Sequence, residues 1–233
     1  MKLHTGTLYS HIILLTIILV AYSTKANSQT LKNVTNEGPA KPSKSSHCRN
    51  DKIKCADYPL AVRITAPIGH ILIVDAAMYF TMAGIWPTAF SPAQSNRSQF
   101  KKTWTSPPHW DRHGSLFELD GDPWPINAVM HGLYGSEAWL TARNFGHNPA
   151  IAFIYSAGAA FTWEYLIEGW FQQPSAIDLM WTPFAGAVIG ELRYQLLKIA
   201  NKKISIKGLK ITVMTIIDPI GQLERLIFRC QFE

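Results

Sequence analysis

At 233 residues the chain is long enough to bury a core of its own, and with 47% hydrophobic and only 16% charged residues it is not a solvated, disordered protein. Its formal net charge of +6 would suit an anionic partner, but no zinc-finger spacing or aromatic RNA-binding signature goes with it, so nucleic acid is not expected. Mean hydropathy is only +0.02, yet the apolar residues are gathered in blocks.

Residues 1–28 have the layout of a secretory signal peptide. Lys2 and His4 precede an apolar core at 12–21, and Ala26-Asn27-Ser28 fits a small-residue cleavage site. The apolar core is shorter than the ~20 residues a comfortable span needs, although an uncleaved anchor stays open. Residues 29–58 form a polar linker rich in Lys, Ser, Asn and Pro, without the apolar groups needed to pack. Of the three cysteines, Cys48 and Cys55 could close a small loop in an oxidising compartment and leave Cys230 free. Three thiols without a role is the other reading. Cys48-x6-Cys55 is poor zinc spacing.

A helical bundle is expected over 59–200. The first apolar block, 66–90, is long enough for a helix of several turns and is interrupted by His70 and Asp75. Five residues apart, these lie about 140° from one another around a helix. Ionisable groups in such a block make a fully lipid-exposed helix unexpected. Residues 91–125 read as a long irregular loop carrying His109-Trp110-Asp111 and Asp120-Gly121-Asp122-Pro123-Trp124. A second helix is expected at 126–145, with Pro125 suited to its first turn and Gly146 to its end. Asn127, His131 and Gly135 recur at every fourth residue and so share a stripe.

The third helix, 149–171, begins small and apolar and turns aromatic and acidic, with Trp163, Glu164, Tyr165, Glu168 and Trp170. Glu164 and Glu168, one turn apart, repel unless a cation, a histidine or a shared proton lies between them. Gln173-Pro174-Ser175 is a turn, and Ser175 with Asp178 makes a variant capping box for a fourth helix over 176–200. Asp178, Thr182, Gly186 and Gly190 form a further stripe beside Glu191. Gly135, Gly186 and Gly190 are the expected points of close helix approach. The tail, 201–233, starts basic and continues into the β-branched run 211–217, read as a short strand or an amphipathic helix.

Several motifs within 103–191 resemble the bacterial envelope proteins of the Domain of Unknown Function 3943 family. They are Pro107-Pro108-x-Trp110-Asp111, Asp122-Pro123-Trp124-x2-Asn127-x3-His131, Gly135-Ser136 with Ala142-Arg143, Trp163-Glu164-Tyr165-x2-Glu168, Pro174-Ser175-x2-Asp178-Leu179, and Thr182-Pro183-x2-Gly186-x3-Gly190-Glu191. Gly132 departs from the proline expected after the histidine. A pattern-level similarity to VanZ-like membrane proteins covers Asp122, His131, Glu168, Asp178, Thr182, Gly186 and Gly190. The resemblance implies a bundle with a buried polar centre in an envelope of the Gram-negative type.

Charged groups are almost never fully buried unpaired, so acids amid apolar sequence at 161–191 point to a cluster. Its expected members are Asp122, Asn127, His131, Arg143, Glu164, Glu168, Ser175, Asp178 and Glu191, with Arg143 or Arg193 as candidate ion-pair partners. The leading reading is a non-enzymatic, membrane-associated envelope protein that binds lipid or an envelope partner, its cluster holding the bundle in register. The alternative is a membrane enzyme acting on a lipid or lipid-linked cell-wall substrate. His131 would then be general acid/base or a ligand, and Glu164, Glu168 and Asp178 would tune it or bind a cation. A transporter component has less support from four apolar blocks. Neither a His-Glu-x2-His pair nor a Gly-x-Ser-x-Gly elbow is present, and the sequence assigns no metal, cofactor or oligomeric state.

Overall fold

The helix His131–Asn144 meets most of the others, above all the long helix Ala176–Lys203. The computed structural model describes residues 53–85, 97–110, 113, 117 and 124–232. The segment read as a signal peptide, most of the linker, Cys48 and Asp122 lie outside the described residues. Residues from Lys54 onward belong to one unit. Its helices are α1 (Leu60–Ile85), α2 (Arg97–Thr105), α3 (His131–Asn144), α4 (Pro149–Phe161), α5 (Ala176–Lys203), α6 (Lys207–Ile217) and α7 (Pro219–Ile227). The class is all-α, with two isolated bridges, Lys54 to Gln231 and His109 to Ser175, in place of any sheet among the described residues.

Local chemistry sets the helix starts. Asn148 Oδ1 accepts from Ile151 N at 2.9 Å and Pro149 follows it, so α4 begins with a capped, proline-led first turn. Asp218 does the same for α7, accepting from Gly221 N at 2.8 Å ahead of Pro219. Gly146 ends α3 with φ +78°, a left-handed conformation that favours glycine. Arg63 of α1 donates to the carbonyls of Phe145 and Gly146 there, at 2.9 and 3.0 Å, tying α1 to the end of α3.

The centre is the triple contact of α3, α4 and α5. Backbone meets backbone in it. A Cβ at Gly135 would lie 2.0 Å from the Thr182 carbonyl oxygen, and one at Gly186 would lie 2.6 Å from the carbonyl carbon of Gly135. Ser156 of α4 closes the junction, its hydroxyl 3.0 Å from the Gly135 oxygen and 3.3 Å from that of Thr182. At Gly190 the Trp139 ring takes the space a side chain would fill.

The ends of the unit differ from the sequence expectation. Of the two forms expected for the β-branched run of the tail, the helix is the one present and not the strand: it is α6, which packs on α5, and α7 returns toward α3. β-branched propensity is weak against burial, and Met214 packs with Leu197, Tyr194 and Phe232. Cys55 is bonded to Cys230, 175 residues away, rather than to Cys48 or left as a thiol. The Cys55 amide donates to Gln231 O at 3.0 Å, which sets the start of this unit beside its last described residues. The polar linker, expected to reach residue 58, therefore stops short of it. Cys55 and Tyr58 are buried with Phe145 and Cys230, and the Tyr58 hydroxyl donates to the Phe228 carbonyl.

Candidate functional site

Two wide helical turns make the site. Pro125–Met130 is a π turn leading into α3, and the His131 amide bonds the Ile126 carbonyl five residues back. Thr162–Ile167 continues α4 as a second π turn, where the Glu168 amide bonds Trp163 O, before a tight turn at Glu168–Trp170. Such widened turns re-aim side chains and recur at functional sites. Here they carry His131, Glu164 and Glu168. The start of α5 supplies Asp178 and Thr182.

His131 Nδ1 lies 3.0 Å from the Thr182 hydroxyl, which holds the ring. Its other nitrogen, Nε2, faces two carboxylates, 3.8 Å from Asp178 Oδ2 and 4.0 Å from Glu164 Oε1. The three residues are 6%, 1% and 0% exposed. The expected capping box forms by half. Ser175 Oγ accepts from Asp178 N at 3.2 Å, but the Ser175 amide donates to Glu164 Oε2 at 2.6 Å, in the place a reciprocal cap would take. Glu164 is thereby fixed from the neighbouring helix, and the Asp178 carboxylate is turned toward His131.

Glu168 is buried and accepts from Gln172 Nε2 at 2.6 Å. Asn127, one turn before His131, is wholly buried and donates to Phe117 O at 3.0 Å. The structure thus gathers His131, Glu164 and Asp178 around one point, with Thr182, Ser175, Glu168 and Asn127 bracing the surrounding elements.

Arg143 and Glu191 belong to a different layer, further along α5. Arg143 Nε donates to Glu191 Oε2 at 3.0 Å, as does Trp139 Nε1 at 3.1 Å. Gln195 Nε2 donates to the other carboxylate oxygen, Glu191 Oε1, at 2.7 Å, so both oxygens are held. Arg193 is also engaged here, with Glu137 at 2.7 Å and the Ser136 hydroxyl at 2.7 Å. Both arginines, offered by the sequence as partners of the central acids, serve this layer. Their spacing on the helices carried the charge pattern but not the height at which each meets a neighbour.

Polar residues outside the expected cluster complete the interior. His70 meets Glu224 at 2.7 Å and lies 3.2 Å from the Thr141 hydroxyl, while Asp75 accepts from the Tyr134 hydroxyl. His70 and Asp75 themselves were conspicuous in an apolar block. Glu224, Thr141 and Tyr134 sit in mixed sequence, where no local signal marks them. Asp218 receives Arg225 at 3.0 Å and Asn144 at 3.1 Å.

Residues 116–220 match the family model described as Domain of unknown function (DUF3943), a span that holds all the described site residues. No curated protein and no solved structure matches the chain.

Proposed function

We propose that this chain, of the DUF3943 family by residues 116–220, is a membrane-embedded protein of a Gram-negative-type cell envelope that binds lipid over its apolar exterior. Its buried His/Glu/Asp centre keeps the helices in register. One observation carries the reading: the charges point inward and the large apolar side chains outward. On α5, Met180, Phe184, Val188 and Leu192 recur every fourth residue along an exposed stripe, and Val188 is 73% exposed. Leu60, Ile64 and Ile68 do the same on α1, and on α4 Ile151, Ile154 and Phe161, three and seven residues apart, are also exposed. Apolar surface on this scale is costly in water and favourable against lipid chains.

Two segments, Leu60–Ile85 and Pro149–Trp170, have the length and composition to cross a bilayer, and most of each is unburied, unlike the core helix of a soluble protein. The polar termini fit the same picture. Exposed Trp104 packs on Phe161 at the end of α4, and exposed Trp110 follows His109, which is bonded to Pro174 and Ala176 at the start of α5, where tryptophan suits a membrane interface. Lys202 and Lys203 stand in its last turn and Lys207 and Lys210 follow, suited to lipid phosphates.

Membrane fractionation tests this. The mature chain is expected to stay in the pellet through high salt and alkaline carbonate and to enter solution only with detergent. Quantitative release by carbonate would refute it.

The two π turns at the site favour a second reading, an enzyme acting on a lipid or lipid-linked substrate through His131. Glu168→Gln separates the two. An intact fold with loss of the envelope phenotype supports chemistry, and loss of both supports architecture.

A further inference from the structure

We infer that His131, Glu164 and Asp178 form a binding site for a divalent transition-metal ion. This inference stands on the site's geometry and needs neither functional reading above. Each residue offers one ligand atom, and the three atoms lie within 4.8 Å of one another. At 3.8 and 4.0 Å, the Nε2-to-carboxylate separations are too long for hydrogen bonds, which run to about 3.2 Å. They are close to the ~3.4 Å that separates neighbouring ligands of a tetrahedral ion bound at about 2.1 Å. The two carboxylates would draw together on binding, by up to ~1.4 Å from the 4.8 Å within which the three atoms lie.

A second observation points the same way. Glu164 Oε1, the atom aimed at His131 Nε2, is buried and has no hydrogen-bond partner, whereas Oε2 is satisfied by the Ser175 amide. A buried carboxylate oxygen left without a donor is expensive. A cation at this point would satisfy it and offset the mutual repulsion of Glu164, Asp178 and the neighbouring Glu168. The histidine is also prepared as a ligand. Thr182 engages Nδ1, which leaves Nε2 to face the carboxylates, the arrangement in which metal-binding imidazoles are held by an outer hydrogen bond. One imidazole with carboxylates suits Zn²⁺, Mn²⁺ or Fe²⁺, and the nitrogen ligand disfavours Ca²⁺ and Mg²⁺. The competing arrangement is a proton shared among the acids, with no metal.

The test uses the full chain purified in detergent, stripped with chelator and titrated with Zn²⁺ and, separately, Mn²⁺, by calorimetry and by metal analysis after desalting. One ion per chain is expected, with a higher melting temperature for the loaded protein. Glu164→Gln and Asp178→Asn are each expected to weaken binding by more than tenfold. Thr182→Val, which removes only the brace, is expected to weaken it about tenfold. Glu191→Gln, outside the site, is expected to leave it unchanged. Should the site variants fail to fold, Mn²⁺ bound to the wild type is examined by pulsed electron-spin measurements for a directly coordinated imidazole nitrogen, which is expected. A folded wild type that retains neither ion would overturn the inference in favour of the shared proton. So would Glu164→Gln binding like wild type, or bound Mn²⁺ without a nitrogen ligand.

Discussion

Gly135→Ala should be among the most damaging small substitutions in this chain. The added Cβ would lie 2.0 Å from the Thr182 carbonyl oxygen and 3.0 Å from Ser156 Oγ. The Thr182 carbonyl, fixed in the helical backbone of α5, cannot rotate away, so α3 and α5 must part by roughly 1 Å, an overpacking that costs about 1–3 kcal/mol. Parting them also weakens the Ser156 hydrogen bonds to the Gly135 and Thr182 carbonyls, adding about 1 kcal/mol. The expected loss is therefore about 2–4 kcal/mol, or about 5–12 °C in melting temperature for a unit of this size. Gly158→Ala is the matched control, because nothing lies within 4 Å of the position where its Cβ would stand. There the change should be neutral or stabilising by up to about 1 kcal/mol, since alanine favours a helix over glycine. Thermal unfolding in detergent, followed by tryptophan fluorescence, reads both. Equal melting temperatures for the two variants would refute the close backbone contact of α3 and α5.

Alkylation of the denatured, unreduced chain should modify only Cys48, and reduction should expose all three cysteines, as counted by mass spectrometry. Cys55→Ser should lower stability by up to about 5 kcal/mol in the chain-entropy view, because the closed loop spans 175 residues. Arg193→Met should cost about 3 kcal/mol by leaving Glu137 without its cation, and Arg193→Met with Glu137→Leu should recover most of that in a double-mutant cycle. Glu191→Gln should cost about 1–3 kcal/mol by weakening the charge-assisted bond from Arg143, read as a lower melting temperature. An unchanged melting temperature would count against the Arg143–Glu191 pair.

Much of the architecture is written locally. The spacing of apolar and small residues determined that the chain is helical, where α3, α4 and α5 lie, and which stripes must face a neighbour, because a helix repeats every 3.6 residues and Gly135 and Gly186 leave no other filling for those faces. The acids at 164, 168 and 178 announced a polar interior, because burying charge in apolar sequence needs a compensating partner. Tertiary structure alone decided who that partner is. Nothing along the chain says that Ser175 N would claim Glu164 and free Asp178 for His131, that the arginines would serve another layer, or that Cys55 would find Cys230 across 175 residues. Those outcomes depend on the relative height and rotation of helices packed side by side. A one-dimensional pattern specifies which face is turned inward but not the height of a residue against its neighbour.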